Sequence, residues 1–543
     1  MGFPLSSSKR ATTGRIPGAA GFGPTALLAA ARSAALSAAA LLAVTLLAGG
    51  LLGLALGGCG QLPSGPMPGG SDTTHGGTAT TEPATSSTPA PETTSPLPAD
   101  TQLTVGEPTG ATFSRLLGVN LGPLSSHNER SPFDATAAYR EMGVEMVRTH
   151  DFYGPLDMAT MFPDLSRDPN DPASYRFDRS DFAWRTIVVG GFEPYLRLGD
   201  SWNDVRAPEN PRERAQWAQA AVQVVRHYYQ GQWNGFRTPL RYVEIWNEPD
   251  LERFWPEPRN LVDFFDLYVQ TARALKKAFP ELAVGGAGFT QGSVFLRHGR
   301  RMIHEFLTYV KKNGAPLDFL SWHLYDNDPQ RWIEAATFYS QELEVSGFTE
   351  TALHVTEWNT DTHLLDDDSP EAAALRTGAK GAAILTAAWI ALQKTGVAEA
   401  TFYSGIDPVP GLPAGYGLLY GDGSPKPVAR AFSLWRMFAD HPRELKVTSS
   451  ADTSLWILAG SDERGGKALL LANPSEKAVR YSVTFAEAAG PFPGGLATPS
   501  SAGTGLLEVL TVASERPPAV ASVSWGDVIE IGAFAVQLVR ISR

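Results

Sequence analysis

The sequence predicts an α/β fold, a (β/α)8 TIM barrel followed by a C-terminal β-sandwich-like accessory domain. Three observations carry this. Short β-rich runs alternate with helical segments after Asp100, the runs number eight, and from about Glu444 the helices give way to short alternating strands with Gly/Pro turns. The composition permits cores of that size, with 43% hydrophobic and 10% aromatic residues in 543 and 13 Trp and 26 Phe among them, which excludes a disordered chain.

Before the barrel come two segments of different character. From Ala34 to Gly58 the chain carries no charge and is mostly Ala, Leu and Gly, after a basic stretch with Lys9, Arg10, Arg15 and Arg32, as in an export signal or membrane anchor. The stretch ends in Leu56-Gly57-Gly58-Cys59, which resembles the lipobox of bacterial lipoproteins, where the cysteine becomes the lipidated first residue. The competing reading is an uncleaved transmembrane helix, since 25 uncharged residues suffice to span a bilayer. Both place the remainder outside the cytoplasm, on a lipid anchor or an N-terminal helix of the cell envelope. Cys59 is the sole cysteine, so a disulfide framework and a zinc–thiolate site are excluded within one chain. Between Gly60 and Asp100, 28 of 41 residues are Gly, Ser, Thr or Pro without an aromatic, which reads as a flexible tether. The domain organisation is therefore 1–59 signal and lipobox, 60–100 tether, 101–442 barrel and 443–543 β-rich domain.

The barrel runs are Leu116 to Leu124, Glu145 to His150, Glu193 to Gly199, Tyr242 to Pro249, Leu282 to Phe289, Asp318 to Asp326, Leu353 to Asn359 and Glu399 to Gly405. Helical spacing of Ala218, Val222, Val225 and Tyr229 predicts a helix over Pro211 to Tyr229, and similar patterns cover Asn260 to Phe279 and Glu371 to Lys394. In the tail, Leu455 to Ala459, Ala468 to Ala472, Tyr481 to Phe485 and Val528 to Leu538 read as strands. Gly285-Gly286-Ala287-Gly288 lies on a strand-like run and lacks the dinucleotide fingerprint. The net charge of -12, all of it arising after Asp100, disfavours nucleic acid as a partner.

Active sites of such barrels lie at the carboxyl ends of the strands, where Arg148, His150, Asn247, Glu248, His323, Tyr325, Glu357 and Tyr403 fall. Glu248 and Glu357 end the fourth and seventh runs, roughly across the barrel from each other, so their carboxyl groups can converge on one bound group. Paired carboxylates are what cleavage of a glycosidic bond requires: one protonated to donate to the leaving oxygen, the other ionised to attack the anomeric carbon or activate water. An isolated glutamate at a strand end more often forms an ion pair, but two at matched positions, each beside Trp and Asn, favour chemistry.

Trp246-Asn247-Glu248-Pro249 and Thr356-Glu357-Trp358-Asn359 resemble the acid/base and nucleophile motifs of retaining glycoside hydrolases of the large barrel clan. Within it the sequence resembles glycoside hydrolase family 39, a likeness extended by Val147-Arg148-Thr149-His150-Asp151, Ser321-Trp322-His323-Leu324-Tyr325, and Gly417-Leu418-Leu419 through Gly423-Ser424-Pro425-Lys426-Pro427. The resemblance spans about Leu116 to Met437. It implies Glu248 as general acid/base, Glu357 as nucleophile, Asn247 on the sugar 2-hydroxyl, Arg148 and Tyr325 on the Glu357 carboxylate, and His150 and His323 lining the sugar subsite. Where β-xylosidases of that family place a Trp after strand eight, this chain offers Tyr403, which alters the subsite floor and brings bacterial exopolysaccharide hydrolases into consideration.

The leading expectation is a retaining glycosidase acting on a β-glycoside or polysaccharide outside the cytoplasm, without a cofactor and without a catalytic metal. The alternative is a non-catalytic carbohydrate-binding or polymer-assembly protein that keeps the cleft. Trp202 and Trp255 are candidates for stacking on sugar rings, and Trp456 and Trp525 would serve a carbohydrate-binding tail, although all four are equally suited to packing.

Overall fold

The computed structural model of the protein describes residues 98–123, 133–202, 205–362, 369–407, 415–485 and 506–541. The leader, Cys59 and nearly all of the tether lie outside the described residues. Among the described residues no helix is long and apolar enough to cross a membrane.

Each of the eight sequence-derived runs holds a barrel strand. With β1 (Thr101–Thr112) preceding them, these are β2 (Gly118–Asn120), β3 (Met146–Arg148), β4 (Glu193–Leu198), β5 (Tyr242–Ile245), β6 (Ala283–Phe289), β7 (Phe319–Tyr325), β8 (Ala352–Asn359) and β9 (Val397–Phe402). They are parallel and close in sequence order, β9 pairing back onto β2. The run at β5 is shorter than the sequence suggests. Trp246 and Glu248 adopt positive φ (78° and 43°), which takes the backbone off the ladder just before Pro249.

The helices between strands start where their caps dictate. The Asn210 side chain accepts from the Glu213 amide ahead of Pro211–Val225, and Asn260 and Asp263 form a reciprocal capping box ahead of Leu261–Ala278. The single helix expected over Glu371 to Lys394 is two, Pro370–Thr377 and Ala379–Gln393, broken at Gly378. Gly378 is extended there, and a Cβ on it would lie 2.6 Å from the Ala374 carbonyl oxygen. Ala379–Gln393 is apolar on every side and almost wholly buried, because it is enclosed on both faces. Its residues share one core with Val119, Phe402 and Trp435 of the barrel and with Leu470 and Leu538 of the C-terminal sheet.

That sheet has nine strands, completed by β10 (Arg443–Ser449), β11 (Trp456–Ser461), β12 (Lys467–Asn473), β13 (Val479–Phe485), β14 (Leu506–Val512), β15 (Ala519–Ser524), β16 (Ile529–Ile531) and β17 (Ala535–Ile541). Their order is β15-β14-β17-β12-β11-β10-β1-β13-β16. Two expectations change here. Thr101–Thr112 belongs to this sheet rather than to the barrel, running antiparallel to β10 and parallel to β13, so the accessory fold begins before the barrel and ends after it. The run Val528 to Leu538 is two strands, separated by a turn with Phe534 at φ 50°.

Alternation along β12 explains the layering. Leu469 and Leu471 join Leu103, Val105, Tyr481, Val483, Val509 and Val539 in the domain's own core, whereas Ala468, Leu470 and Ala472 face the core shared with the barrel helices. Residues from opposite ends of the strand order meet in that inner core, and the Tyr481 hydroxyl donates to Gln537 Oε1 at 2.7 Å, so the sheet folds over itself in the manner of a sandwich.

Candidate active site

The carboxyl ends of the barrel strands surround a cavity of about 550 Å³, lined by His150, Asp151, Glu248, His323, Tyr325, Glu357 and Tyr403, with Trp202, Phe254 and Tyr416 among the aromatic walls. One carboxylate oxygen of Glu248, one of Glu357 and a ring nitrogen of His323 lie within 4.8 Å of one another. The two glutamates anticipated on separate strands therefore converge on one place in the cavity.

Their surroundings differ. Glu357 Oε1 accepts from Arg148 Nη1 at 2.9 Å and Oε2 accepts from the Tyr325 hydroxyl at 2.8 Å. Glu248 Oε1 sits 2.8 Å from His323 Nδ1 and, among the described residues, has no Lys or Arg in ion-pair contact. Burial pushes the Glu248 carboxyl up to about 8, reinforced by the negative charge of Asp250. Burial raises Glu357 as well, opposed by His323 and by Arg148. Two adjacent buried carboxyl groups share one proton, and the ion pair with Arg148 leaves it on Glu248. Burial lowers His323 to about 4 and His150 well below the usual imidazole range, so both rings are neutral at pH 7.

Arg148 is fully buried at the end of β3. Its guanidinium donates from Nε to Glu244 Oε2 (2.7 Å), from Nη1 to Asn120 Oδ1 (2.9 Å) as well as Glu357, and from Nη2 to Asn247 Oδ1 (2.6 Å). Arg148 and Asn247 thus lie behind the cavity wall, and Arg148 acts on the carboxylate rather than lining the subsite. With its oxygen held by Arg148, the Asn247 amide nitrogen is buried without a partner among the described residues. His150 Nε2 is 3.2 Å from Glu357 Oε1 and its Nδ1 has no hydrogen-bond partner among the described residues. Tyr403 donates to Asp151 Oδ2 at 2.5 Å, and its backbone carbonyl accepts from Asn359 Nδ2, which also holds the carbonyl of Tyr416. Trp202 stands at the cavity, 45% exposed, with the Arg253 guanidinium over its ring. Trp255 instead is buried against Trp246 and Phe264 and is a packing residue. In the tail, Trp456 packs against the shared core and Trp525 is partly exposed beside Phe485.

Backbone geometry makes this convergence possible. The pairing of β7 with β8 shifts register between Trp322 and His323, so that Trp322 pairs with Val355 and His323 with Glu357, leaving Thr356 as an extra residue. Such a bulge lets neighbouring side chains turn toward the same region. Gly285, Gly286 and Gly288 owe their presence to close approach: a Cβ on them would lie 2.1 Å from the Phe319 oxygen, 2.6 Å from the Ile245 oxygen and 2.8 Å from His323 Nε2. Gly288, at φ 60°, accepts from the Glu248 amide at 3.0 Å and anchors the acid's backbone.

Asn120, Glu244 and Thr356 were not singled out from sequence, although a Glu or Asn within a strand buried on both faces is itself a signal of a partnered polar group. Glu248, His323 and Glu357 also form the set of close ligand atoms that a cation would need, yet these atoms are already engaged with one another, Arg148 and Tyr325.

Known proteins resemble the chain in sequence and in fold. The chain is 31% identical to a β-xylosidase of Geobacillus stearothermophilus over 202 residues, 32% of this chain and 38% of that protein. It is 26% identical to a β-xylosidase of Caldicellulosiruptor saccharolyticus over 200 residues, 35% of this chain and again 38% of that protein. The matched stretch thus spans well under half the length of these curated relatives. Among solved structures, a glucosidase from Croceicoccus marinus has the same fold with a TM-score of 0.64 at 24% identity, covering 82% of this chain and 100% of that one. A monomeric β-xylosidase from Caulobacter crescentus superposes with a TM-score of 0.59 at 19% identity, covering 81% of this chain and 99% of that one. The profile of glycosyl hydrolases family 39 matches residues 123–468, more than half of the chain and inclusive of both glutamates, and the chain belongs to that family.

Proposed function

We propose that the protein is a retaining glycoside hydrolase that cleaves the β-glycoside of a neutral sugar outside the cytoplasm, with Glu248 as acid/base and Glu357 as nucleophile. The observation that carries this is the pair of carboxyl groups within 4.8 Å in unlike surroundings, one ion-paired to Arg148 and one set against His323. In the first step Glu248 gives its proton to the glycosidic oxygen as the Glu357 carboxylate attacks the anomeric carbon, releasing the aglycone and leaving a glycosyl ester on Glu357. In the second, ionised Glu248 takes a proton from water, whose oxygen displaces Glu357 and restores the original anomeric configuration. Tyr403, hydrogen-bonded to Asp151, forms a polar floor to the cavity.

A neutral glycone is favoured because the described lining residues include no Lys or Arg while they include Asp151, Glu248 and Glu357, so a uronate would face carboxyl groups with no lining cation to offset them. The β-xylosidases and glucosidase among the relatives and structural neighbours point the same way.

The test is product stereochemistry and trapping. An aryl β-xyloside, an aryl β-glucoside and a set of bacterial and plant polysaccharides are offered to the wild type, to Glu248→Gln and to Glu357→Gln. The expected first product is the β-anomer by NMR, and a 2-deoxy-2-fluoro glycoside should label Glu357. First release of the α-anomer, or full activity in Glu357→Gln, would overturn the mechanism, and polymer binding without turnover would favour the non-catalytic alternative. The leader supports anchoring at the envelope through lipidated Cys59; metabolic labelling with a tagged fatty acid should then mark the wild type and not Cys59→Ala.

A further inference from the structure

Behind the two glutamates runs a chain of hydrogen bonds that the mechanism above does not use. His323 Nδ1 is 2.8 Å from Glu248 Oε1, His323 Nε2 is 3.2 Å from Thr356 Oγ1, and Thr356 Oγ1 donates to Glu244 Oε1 at 2.9 Å. Glu244, fully buried within β5, accepts from Arg148 Nε through its other oxygen. We propose that Thr356 and Glu244 are positioning residues that hold His323 in its Nε2–H tautomer, so that the bare Nδ1 keeps the acid/base proton on Glu248; this deepens, and rests on, the retaining reading of the site.

Proton counting fixes each direction. A carboxylate paired with a guanidinium only accepts, so the single Thr356 hydroxyl proton points to Glu244 Oε1. Thr356 Oγ1 can then only accept from His323, which places a proton on Nε2. The neutral ring carries one proton, so Nδ1 is a lone pair. A lone pair facing a carboxyl oxygen at 2.8 Å is stable only if that oxygen carries the proton. The register shift of β8 at Thr356 is what lets its hydroxyl reach His323 and Glu244 while the adjacent Glu357 faces the cavity. Gly288 leaves room for the ring, since a Cβ there would lie 2.8 Å from Nε2.

The charged and titratable groups acting on His323 come from several elements: Glu248 and Asp250 after β5, Glu244 on β5, Arg148 on β3, His150 after β3, and Glu357 on β8 at 3.6 Å. Among the described residues, only Glu248 lies within hydrogen-bond distance of Nδ1. The arrangement serves both halves of the reaction. The bare nitrogen makes Glu248 hold its proton up to neutral pH as an acid, and it makes the ionised Glu248 a stronger base toward water.

Thr356→Val removes the hydroxyl at nearly constant shape, and Thr356→Ser retains it. Without the acceptor at Nε2 the ring is free to take the Nδ1–H tautomer, which donates to ionised Glu248 and favours loss of its proton. In 15N-histidine spectra at pH 7, His323 Nδ1 should be unprotonated in the wild type and Thr356→Ser and protonated in Thr356→Val. In pH profiles of kcat/KM on an aryl β-glycoside, the alkaline limb should fall by about 1 to 2 pH units in Thr356→Val, the worth of one charge-assisted hydrogen bond, and stay in place in Thr356→Ser. Substrates whose aglycones leave without protonation should lose little. A uniform rate loss with an unmoved alkaline limb, or a protonated Nδ1 in the wild type, would overturn the proposal. Absence of hydrolysis by the wild type would instead count against the enzymatic reading, and the nitrogen spectra would still decide the tautomer.

Discussion

Replacing Glu248 by glutamine should stabilise the protein, and by an amount that grows with pH. The carboxyl group titrates near 4.5 when unfolded and is pushed up to about 8 by burial in the folded chain. Below 4.5 both states are protonated and the group has no effect on stability. As pH rises from 4.5 the unfolded state releases the proton that the folded state retains, so wild-type stability falls by about 1.4 kcal/mol per pH unit until the folded group also ionises near 8. At pH 7 the accumulated penalty is about 3 kcal/mol, and at pH 5 it is under about 1 kcal/mol. Glutamine has the shape of the protonated acid, can donate its amide to His323 Nδ1, and carries no such penalty. Urea denaturation of wild type and Glu248→Gln, followed by tryptophan fluorescence at pH 5 and pH 7, measures the difference between the two. A gain about 2 kcal/mol larger at pH 7 than at pH 5 is expected. Equal differences at both pH values would refute the claim that Glu248 is held protonated, and with it the assignment of the acid.

Glu357→Gln should reduce kcat by about 10⁴-fold or more while leaving thermal stability close to wild type, measured by aryl glycoside turnover and calorimetry. Arg148→Met strands Glu244 and Glu357 as buried carboxylates facing each other's field; a loss of about 3 to 5 kcal/mol in denaturation experiments is expected, against which Glu244→Gln combined with Arg148→Met should recover part. In Gly288→Ala the new methyl meets His323 at a backbone φ of 60°, so a loss of about 1 to 3 kcal/mol in stability and a shifted alkaline limb of kcat/KM are expected together.

The eight barrel strands and the two glutamates were legible in the sequence because each is a local signal. A parallel strand covered on both faces reads as a short apolar run, and a charged residue at its carboxyl end has one place to go, the mouth of the barrel. Arg148, His150, His323 and Tyr325 followed from the same position at the strand ends. Thr101–Thr112 was read with the barrel because pairing between strands more than 300 residues apart leaves no local trace. The break at Gly378 was hidden by apolar spacing that continues across it.

What the sequence by itself determined is therefore which segments become strands and which carboxyl groups reach the cavity, since hydrophobic period and residue type specify both. The motif resemblance implied Glu248 as the acid, but the physical reason for it to keep the proton lies in tertiary structure. It depends on Arg148 reaching Glu357 rather than Glu248, and on a register shift that sets Thr356 between His323 and Glu244. Electrostatic energies in a buried site vary with distances of an ångström or less between residues far apart in the chain, and no local pattern of residues encodes those distances.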